Sequence, residues 1–241
     1  MIAILTFDVE MDAPPYMSSW RGVSEGLPLI LEILDYYRVK ATFFTIGILA
    51  EVNSKALYSI IDKGHELACH GYDHRRLDKI PLAEARDNIR RCVRALREYS
   101  DILSFRAPNL KLPPQLLNTL VEEGIIIDSS IAWYKPPFYF KPKIEARVYR
   151  IPASYPSSIL RLPWVAVKAL FAKRINYVIL THPWEYISLK ASLRPDLTLG
   201  VGSRVGLNLA RLIGYLKNNG YIFLTMRDSI SKLKSHMVES S

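Results

Sequence analysis

Residues 2–10 read Ile-Ala-Ile-Leu-Thr-Phe-Asp-Val-Glu, an apolar run that ends in two carboxylates. The unbroken run from Ile2 to Phe7 predicts a strand that is buried on both faces, as in a parallel sheet. Because side chains alternate along a strand, Asp8 and Glu10 point to the same side if the segment stays extended. The stretch therefore predicts a buried sheet with two acids together at the carboxyl end of its first strand.

Further apolar runs alternate with segments of helical period along the whole chain. The other predicted strands are 41–46, 66–68, 103–106, 125–127, 148–151, 177–181 and 221–224. The predicted helices are 27–37, 56–63, 81–99, 113–123, 162–173 and 205–218. This alternation is typical of an α/β fold with a mostly parallel sheet and helices outside it, and such strands can close into a barrel. Since no linker or repeat divides the sequence, we expect one domain over residues 1–241.

Titratable residues directly follow several of the predicted strands. They are Asp8, Glu10, His70, His74, Arg106, Asp128 and His182. In parallel barrels, reactive residues lie at the carboxyl ends of the strands. Imidazoles and carboxylates gathered at that end predict a site for metal and proton chemistry.

The segment His70-Gly-Tyr-Asp-His74 places two histidines four positions apart. We expect a helical turn here that presents both imidazoles on one face, where they can reach a single ion. A catalytic divalent metal usually has three protein ligands and an open position. Asp8, Glu10 and Asp12 are the candidates for the third ligand.

Several blocks of this sequence resemble, in order and spacing, the motifs of polysaccharide deacetylases of the NodB-homology type, carbohydrate esterase family 4. The blocks are Thr6-Phe-Asp8, Ala41-Thr-Phe-Phe44, Gly64-His-Glu66, His70-Gly-Tyr-Asp-His74, Phe105-Arg106-Ala-Pro108 and Leu180-Thr-His182. The resemblance covers about residues 1–230. It implies a single irregular (β/α)7-type barrel that binds one divalent metal and removes acetyl groups from N-acetylated sugars.

The resemblance also implies the roles of the residues around the metal. Asp8 would be the general base. Many members of the family have a metal-binding Asp directly after the base, where this sequence has Val9. The chain is most similar to the branch with one residue between the two acids, which makes Glu10 the third metal ligand beside His70 and His74.

The remaining blocks imply the acid, the supporting groups and the substrate contacts. His182 would be the general acid that protonates the departing amine. Arg106 would pair with Asp8 and hold it ionised, and Asp128 would orient the surrounding network. The expected substrate contacts are Asn109, Trp133 and Trp184.

A site of two histidines and one carboxylate favours zinc, with nickel, cobalt, manganese or iron as substitutes. Two other functions stay open at this stage. The same motifs resemble those of metal-dependent hydrolases of small cyclic or linear non-peptide amides. The chain can also be a catalytically inactive barrel that binds carbohydrate.

The number and distribution of charged residues indicate which kinds of macromolecule the chain can bind. The 32 Lys and Arg exceed the 23 Asp and Glu, which gives a formal net charge of +9. These cations are scattered and form no stripe interleaved with aromatic residues, so we expect no nucleic-acid partner. Residues 160–174 are apolar with basic interruptions, which is typical of a barrel helix but also allows peripheral contact with an anionic membrane.

The cysteine content and the absence of long apolar runs indicate the cellular compartment. Cys69 and Cys92 are too few for a disulfide framework, and the chain shows neither a secretory signal nor an apolar run long enough to span a membrane. We therefore expect a cytoplasmic protein. The 15 prolines against 11 glycines, and Gln115 as the one glutamine, favour heat adaptation.

Overall fold

The computed structural model describes residues 1–189 and 194–238, with side chains up to residue 232. The strands are β1 (Ile2–Val9), β2 (Thr42–Thr45), β3 (Glu66–Cys69), β4 (Ser104–Phe105), β5 (Ile127–Asp128), β6 (Lys143–Glu145), β7 (Val148–Arg150), β8 (Tyr177–Thr181) and β9 (Ile222–Phe223). The α-helices are α1 (Leu27–Tyr36), α2 (Leu49–Val52), α3 (Ser54–Ile61), α4 (Leu82–Arg97), α5 (Leu117–Glu122), α6 (Trp164–Leu170), α7 (Pro195–Thr198), α8 (Ser203–Asn218) and α9 (Met226–Val238). The domain expected over 1–241 includes 190–193 and 239–241, which lie outside the described residues.

Most of the sheet is parallel. Its strands lie in the order β6-β7-β5-β4-β3-β2-β1-β8, and every neighbouring pair from β7 to β8 is parallel. Strand β6 adds to β7 in the antiparallel sense, and β9 pairs with the first residues of β1. The predicted α/β fold with a mostly parallel sheet and outer helices is confirmed.

The sheet curls back on itself between β7 and β8 without a continuous ladder there. One isolated bridge joins Tyr155 to Ile179, and the backbone N–H of Ser154 donates to the carbonyl of Val178. The result is an incomplete barrel with one weakly closed seam between β7 and β8.

Alternation along β1 decides what lies inside the barrel. Its outward side chains join the large core under the helices, and they are Ala3, Leu5, Phe7 and Val9. Ile2 and Ile4 point inward and pack with Phe44, Ile127 and Val178. Burying a side chain of this size stabilises the fold by about 1.5–3 kcal/mol. The same period of two places the polar side chains of β1 on the inner face.

Several elements differ from the sequence predictions: α2, α7, α9 and β6 were not predicted, and α6 is shorter than expected. Strand β6 was not predicted, because the hairpin that links it to β7 turns at Ala146 and Arg147, both with positive φ, where such turns usually carry Gly or Asn. The helix predicted over 162–173 is shorter, since Pro163 keeps Leu162 extended and α6 begins only after it.

The loop after β1 is clamped against the segment that follows β8. Asp12 accepts hydrogen bonds from the Gly22 N–H at 2.7 Å and the Arg21 N–H at 2.9 Å. A Cβ on Gly26 would lie 2.1 Å from the carbonyl oxygen of Pro183, so only glycine fits this approach. The two halves of the chain are thereby held together beside the carboxyl ends of β1 and β8.

None of the helices in the described ranges has both the length and the apolar character needed to cross a bilayer.

Candidate active site

Asp8 and Arg106 form a buried ion pair at the carboxyl end of β1. Arg106 is fully buried, and its Nη1 donates to Asp8 Oδ1 at 2.6 Å and to Thr6 Oγ1 at 2.9 Å. Its Nη2 donates to Ser129 Oγ at 3.0 Å, and the guanidinium lies 4.1 Å over the Phe44 ring. With donors occupied on both arms, the guanidinium fixes the Asp8 carboxylate in one orientation.

Glu10, His70 and His74 come together beside this pair as a candidate metal site. One ligand atom from each residue lies within 4.8 Å of the other two. Glu10 Oε2 is 2.6 Å from His74 Nε2 and 3.4 Å from His70 Nε2. Asp8 Oδ2 lies 3.7 Å from His70 Nε2, at the border of the cluster. Asp12, the other acid considered from the sequence, instead holds the loop at Gly22.

The polar atoms of this cluster fit a divalent cation. Glu10 is buried, and its Oε2 has no hydrogen-bond partner among the described residues, although two imidazoles are close to it. An unpaired buried carboxylate oxygen is costly unless a cation binds it. Burial works against the charge of Glu10, but His74, His182 and His70 outweigh it and hold its pKa well below the usual range. The acid is therefore available as an anionic ligand.

The segment from His70 to His74 is not the helical turn expected from its spacing. Gly71 and His74 both have positive φ, at 76° and 62°, so the backbone forms an irregular loop. The loop still brings the two rings together, with centroids 5.3 Å apart. His70 Nδ1 contacts the backbone carbonyl oxygen of Arg106 at 2.8 Å. When Nδ1 carries the proton, Nε2 keeps a lone pair directed at the cluster, as in most metal-binding histidines.

His182 reaches the same place from the end of β8. Phe7 lies opposite Thr181 in the β1–β8 ladder, so the next residues, Asp8 and His182, emerge side by side. His182 Nε2 is 4.0 Å from Asp8 Oδ2 and 3.7 Å from Glu10 Oε1.

A buried carboxylate holds the other side of the His182 ring. Glu185 Oε2 lies 3.0 Å from His182 Nδ1, and its Oε1 accepts from Arg161 Nε at 2.7 Å. Burial opposes protonation of His182, but Glu10, Glu185 and Asp8 outweigh it and raise its pKa to about 9. The imidazole is therefore set up to carry a proton.

A cleft of about 240 Å³ opens at the carboxyl ends of the strands. It is lined by Asp8, Glu10, His70, His74 and His182. Of the predicted substrate contacts, Asn109 and Trp184 border the cleft, and the Trp184 indole N–H donates to Glu10 Oε1 at 3.3 Å. Trp133 does not border it and lies in a different cavity. Its neighbour Tyr134 lines the cleft in its place.

Asp128 lies behind the cleft rather than in it. Its Oδ2 accepts from Arg150 Nε at 2.8 Å, and its Oδ1 accepts from the Ser130 hydroxyl at 2.5 Å. The Ser130 oxygen accepts in turn from the Ala107 N–H at 2.7 Å, next to Arg106. The Asp128 side chain is thus connected to the Arg106 loop through Ser130.

Sequence reasoning missed Glu185, Arg161 and Ser129. Glu185 carried a usable signal, since it follows His182 by three positions and an i, i+3 spacing allows contact in a tight turn. Arg161 and Ser129 carried none, because each meets its partner only through the tertiary fold.

The polysaccharide deacetylase family model matches residues 2–127, which is more than half of the chain. The chain belongs to the polysaccharide deacetylase family. Its matched region contains β1, the histidine segment and the Arg106 loop.

Two curated relatives show how far the likeness extends. The chain is 27% identical over 213 residues to a bifunctional xylanase/deacetylase of Pseudobutyrivibrio xylanivorans, covering 86% of this chain and 29% of the relative. It is 29% identical over 140 residues to a chitooligosaccharide deacetylase of Sinorhizobium fredii, covering 56% of this chain and 64% of the relative. The chain thus spans less than two thirds of either relative.

Solved structures share the fold. A family 4 carbohydrate esterase from Streptomyces lividans in complex with acetate superposes with a TM-score of 0.62 at 18% identity, covering 92% of this chain and 91% of the other. A family 4 pseudoenzyme from Bacillus anthracis superposes with a TM-score of 0.63 at 19% identity, covering 94% and 64%. Because the same fold occurs in an esterase and in a pseudoenzyme, it does not by itself define activity.

Proposed function

We propose that the chain is a metal-dependent hydrolase that removes N-acetyl groups from an N-acetylated sugar or glycan. The observation that carries the proposal is the position of the Glu10, His70 and His74 cluster between a buried carboxylate, Asp8, and a partly buried imidazole, His182. Amide hydrolysis needs a base for water and an acid for the leaving amine. Membership of the family and the relatives named as deacetylases support acetylated carbohydrate as the substrate class.

Glu10, His70 and His74 would hold one divalent cation. We propose zinc, because imidazole nitrogen and carboxylate oxygen are its common ligands at catalytic sites. The cation would polarise the acetyl carbonyl and lower the pKa of the attacking water.

Asp8 is the general base in this scheme. It takes a proton from the water as the water oxygen bonds to the acetyl carbon. Arg106 keeps the Asp8 carboxylate oriented through the 2.6 Å contact, and Thr6 and Ser129 fix Arg106 in turn.

His182 is the general acid. It donates the proton at Nε2 to the amide nitrogen as the carbon–nitrogen bond breaks, which releases acetate and a free amine. Glu185 Oε2 accepts a hydrogen bond from the His182 Nδ1–H. This contact fixes the orientation of the imidazole ring and stabilises its protonated form. Trp184 stacks on the ring at 5.2 Å and restricts its motion.

The proposal is tested by acetate release from N-acetylglucosamine oligomers, with zinc content measured in the same preparation. Asp8→Asn keeps Glu10 and both histidines, so the variant should bind metal while its kcat falls by about 10²–10⁴-fold. Asp87→Asn, a matched change at an exposed position of α4, should leave both readouts unchanged.

The possible outcomes separate the alternatives. Full activity of Asp8→Asn would remove the base assignment. Metal without acetate release from any sugar would refute the sugar substrate and favour the small-amide hydrolase. No metal and no acetate release would favour the inactive carbohydrate-binding barrel.

A further inference from the structure

A second and larger cavity opens at the opposite end of the barrel from the cleft. It encloses about 730 Å³ beside the first residues of β1 and β8. Pockets that enclose small ligands usually measure about 300–1,000 Å³. The cavity lies along the weakly closed seam, with Ile151 and Ser154 on one side and Tyr177 and Val178 on the other. It does not share a lining residue with the cleft.

The floor of this cavity is apolar and belongs to the barrel interior. Ile2 and Ile4 line it from β1, and Ile151 and Val178 line it from the two sides of the seam. These four residues are members of the small inner core. Phe140 borders the cavity with 66% of its surface exposed, which leaves a large ring in water at the site. An aliphatic group that filled the cavity would bury this apolar surface.

The charged side chains that line the cavity are all cations. Lys141, Lys173 and Arg174 are exposed beside it, and none of the three side chains has an ion pair or hydrogen bond within the described part of the chain. No Asp or Glu is among its described lining residues.

An indole N–H in the same lining also lacks an acceptor. Trp133 packs edge-on against Tyr155 with ring centroids 5.7 Å apart. Its Nε1 is buried, and among the described residues nothing accepts its proton. Buried donors are rarely left without an acceptor in native proteins, and an absent ligand or water is a common explanation.

We propose that this cavity binds a single-chain anionic amphiphile, an aliphatic chain that ends in a phosphate or carboxylate. The chain lies on Ile4, Ile151 and Val178, and the anionic head group pairs with Lys141, Lys173 and Arg174. This site is separate from the catalytic cleft and does not depend on the function proposed for it.

The test is calorimetric titration of the full chain with decyl phosphate and octyl phosphate below their micelle concentrations, and with decanoate as the carboxylate form. Removing two buried methylenes should weaken binding about 15-fold from decyl to octyl phosphate. Inorganic phosphate and the uncharged 1,2-decanediol should each bind at least tenfold more weakly, by about 1.4 kcal/mol or more.

Two double variants separate the cavity from general surface charge. Lys141→Gln with Arg174→Gln should weaken decyl phosphate binding about tenfold, since it removes two cations at the cavity. Lys55→Gln with Arg94→Gln makes the same change in net charge at exposed positions outside the cavity and should leave binding unchanged.

Five results would overturn the proposal, and the first four concern the soluble ligands and the variants. They are no binding of any amphiphile, equal binding of decyl phosphate and the diol, equal binding of decyl and octyl phosphate, and equal losses in the two double variants. Binding to phosphatidylglycerol vesicles without binding of monomeric decyl phosphate would also overturn it, and would assign the cations to a membrane surface.

Discussion

His65 should make the protein lose stability as the pH falls below neutrality. Its ring is buried beside Phe43, its Nδ1 accepts from the Ala41 N–H at 3.3 Å, and its Nε2 has no partner among the described residues. Burial, followed by the charges of Lys40 and Lys63, lowers its pKa from 6.5 to about 4. The folded protein therefore keeps this imidazole neutral.

The sign and size of the effect follow from linkage. Below pH 6.5 the unfolded chain binds a proton at His65, whereas the folded chain binds it only near pH 4. The free energy of unfolding therefore falls as the pH decreases from 6.5 to 4. One pKa unit corresponds to about 1.4 kcal/mol, which gives a full effect of about 3 kcal/mol. About 2 kcal/mol of it should be lost between pH 7 and pH 5.

The measurement is urea unfolding of the wild type and His65→Asn from pH 7.5 to pH 4.5, followed by fluorescence. The Asn oxygen can still accept from Ala41 but does not titrate in this range. The other titratable groups are the same in both proteins, so their effect cancels in the difference. Wild type should lose about 2 kcal/mol more than His65→Asn between pH 7 and pH 5. Parallel stability curves would refute the reasoning.

Three other substitutions test the site and its support. His70→Ala removes one of three ligands, and we expect at least a 100-fold loss of metal affinity by competition with a chelator; unchanged affinity would exclude His70 from the site. Glu185→Gln removes the negative charge beside His182, so kcat should fall about 10–100-fold while the metal content stays unchanged. An equal fall in metal content would contradict the proposal that Glu185 acts by positioning His182. Gly26→Ala places a methyl group 2.1 Å from Pro183 O and should lower stability by about 2–4 kcal/mol in thermal unfolding, whereas Gly206→Ala, where the nearest atom would lie at 3.7 Å, should not lower it.

The fold could be predicted because apolar runs recur at a regular spacing along the chain and alternate with segments of helical period. Strand β1 shows this best, since the sequence 2–10 determined both its burial and the shared face of Asp8 and Glu10. Strand β6 could not be predicted, because it is three residues long, lies at an edge and turns at residues that seldom form such hairpins.

The chemical groups of the site were easier to predict than their geometry. His70 and His74 were chosen for a helical spacing, but they meet through a loop with positive φ. The hydrogen bonds that orient the site depend on contacts distant in sequence, such as Arg161 with Glu185 and His70 with the Arg106 carbonyl. Trp133 was predicted to contact substrate but lines a different cavity, and its neighbour Tyr134 lines the cleft. Adjacent residues in an irregular loop can face different cavities, which the sequence does not show.

The pairing of β1 with β8 has a consequence for the order of assembly. The candidate metal ligands and the proposed base all lie within the first 74 residues, whereas the proposed acid, His182, is placed beside them by the Phe7–Thr181 register. Contacts between distant parts of a chain carry the largest loop-closure cost and tend to form late. Refolding monitored by metal uptake should therefore be faster than refolding monitored by turnover, and the lag between the two measures how long β8 takes to pair with β1.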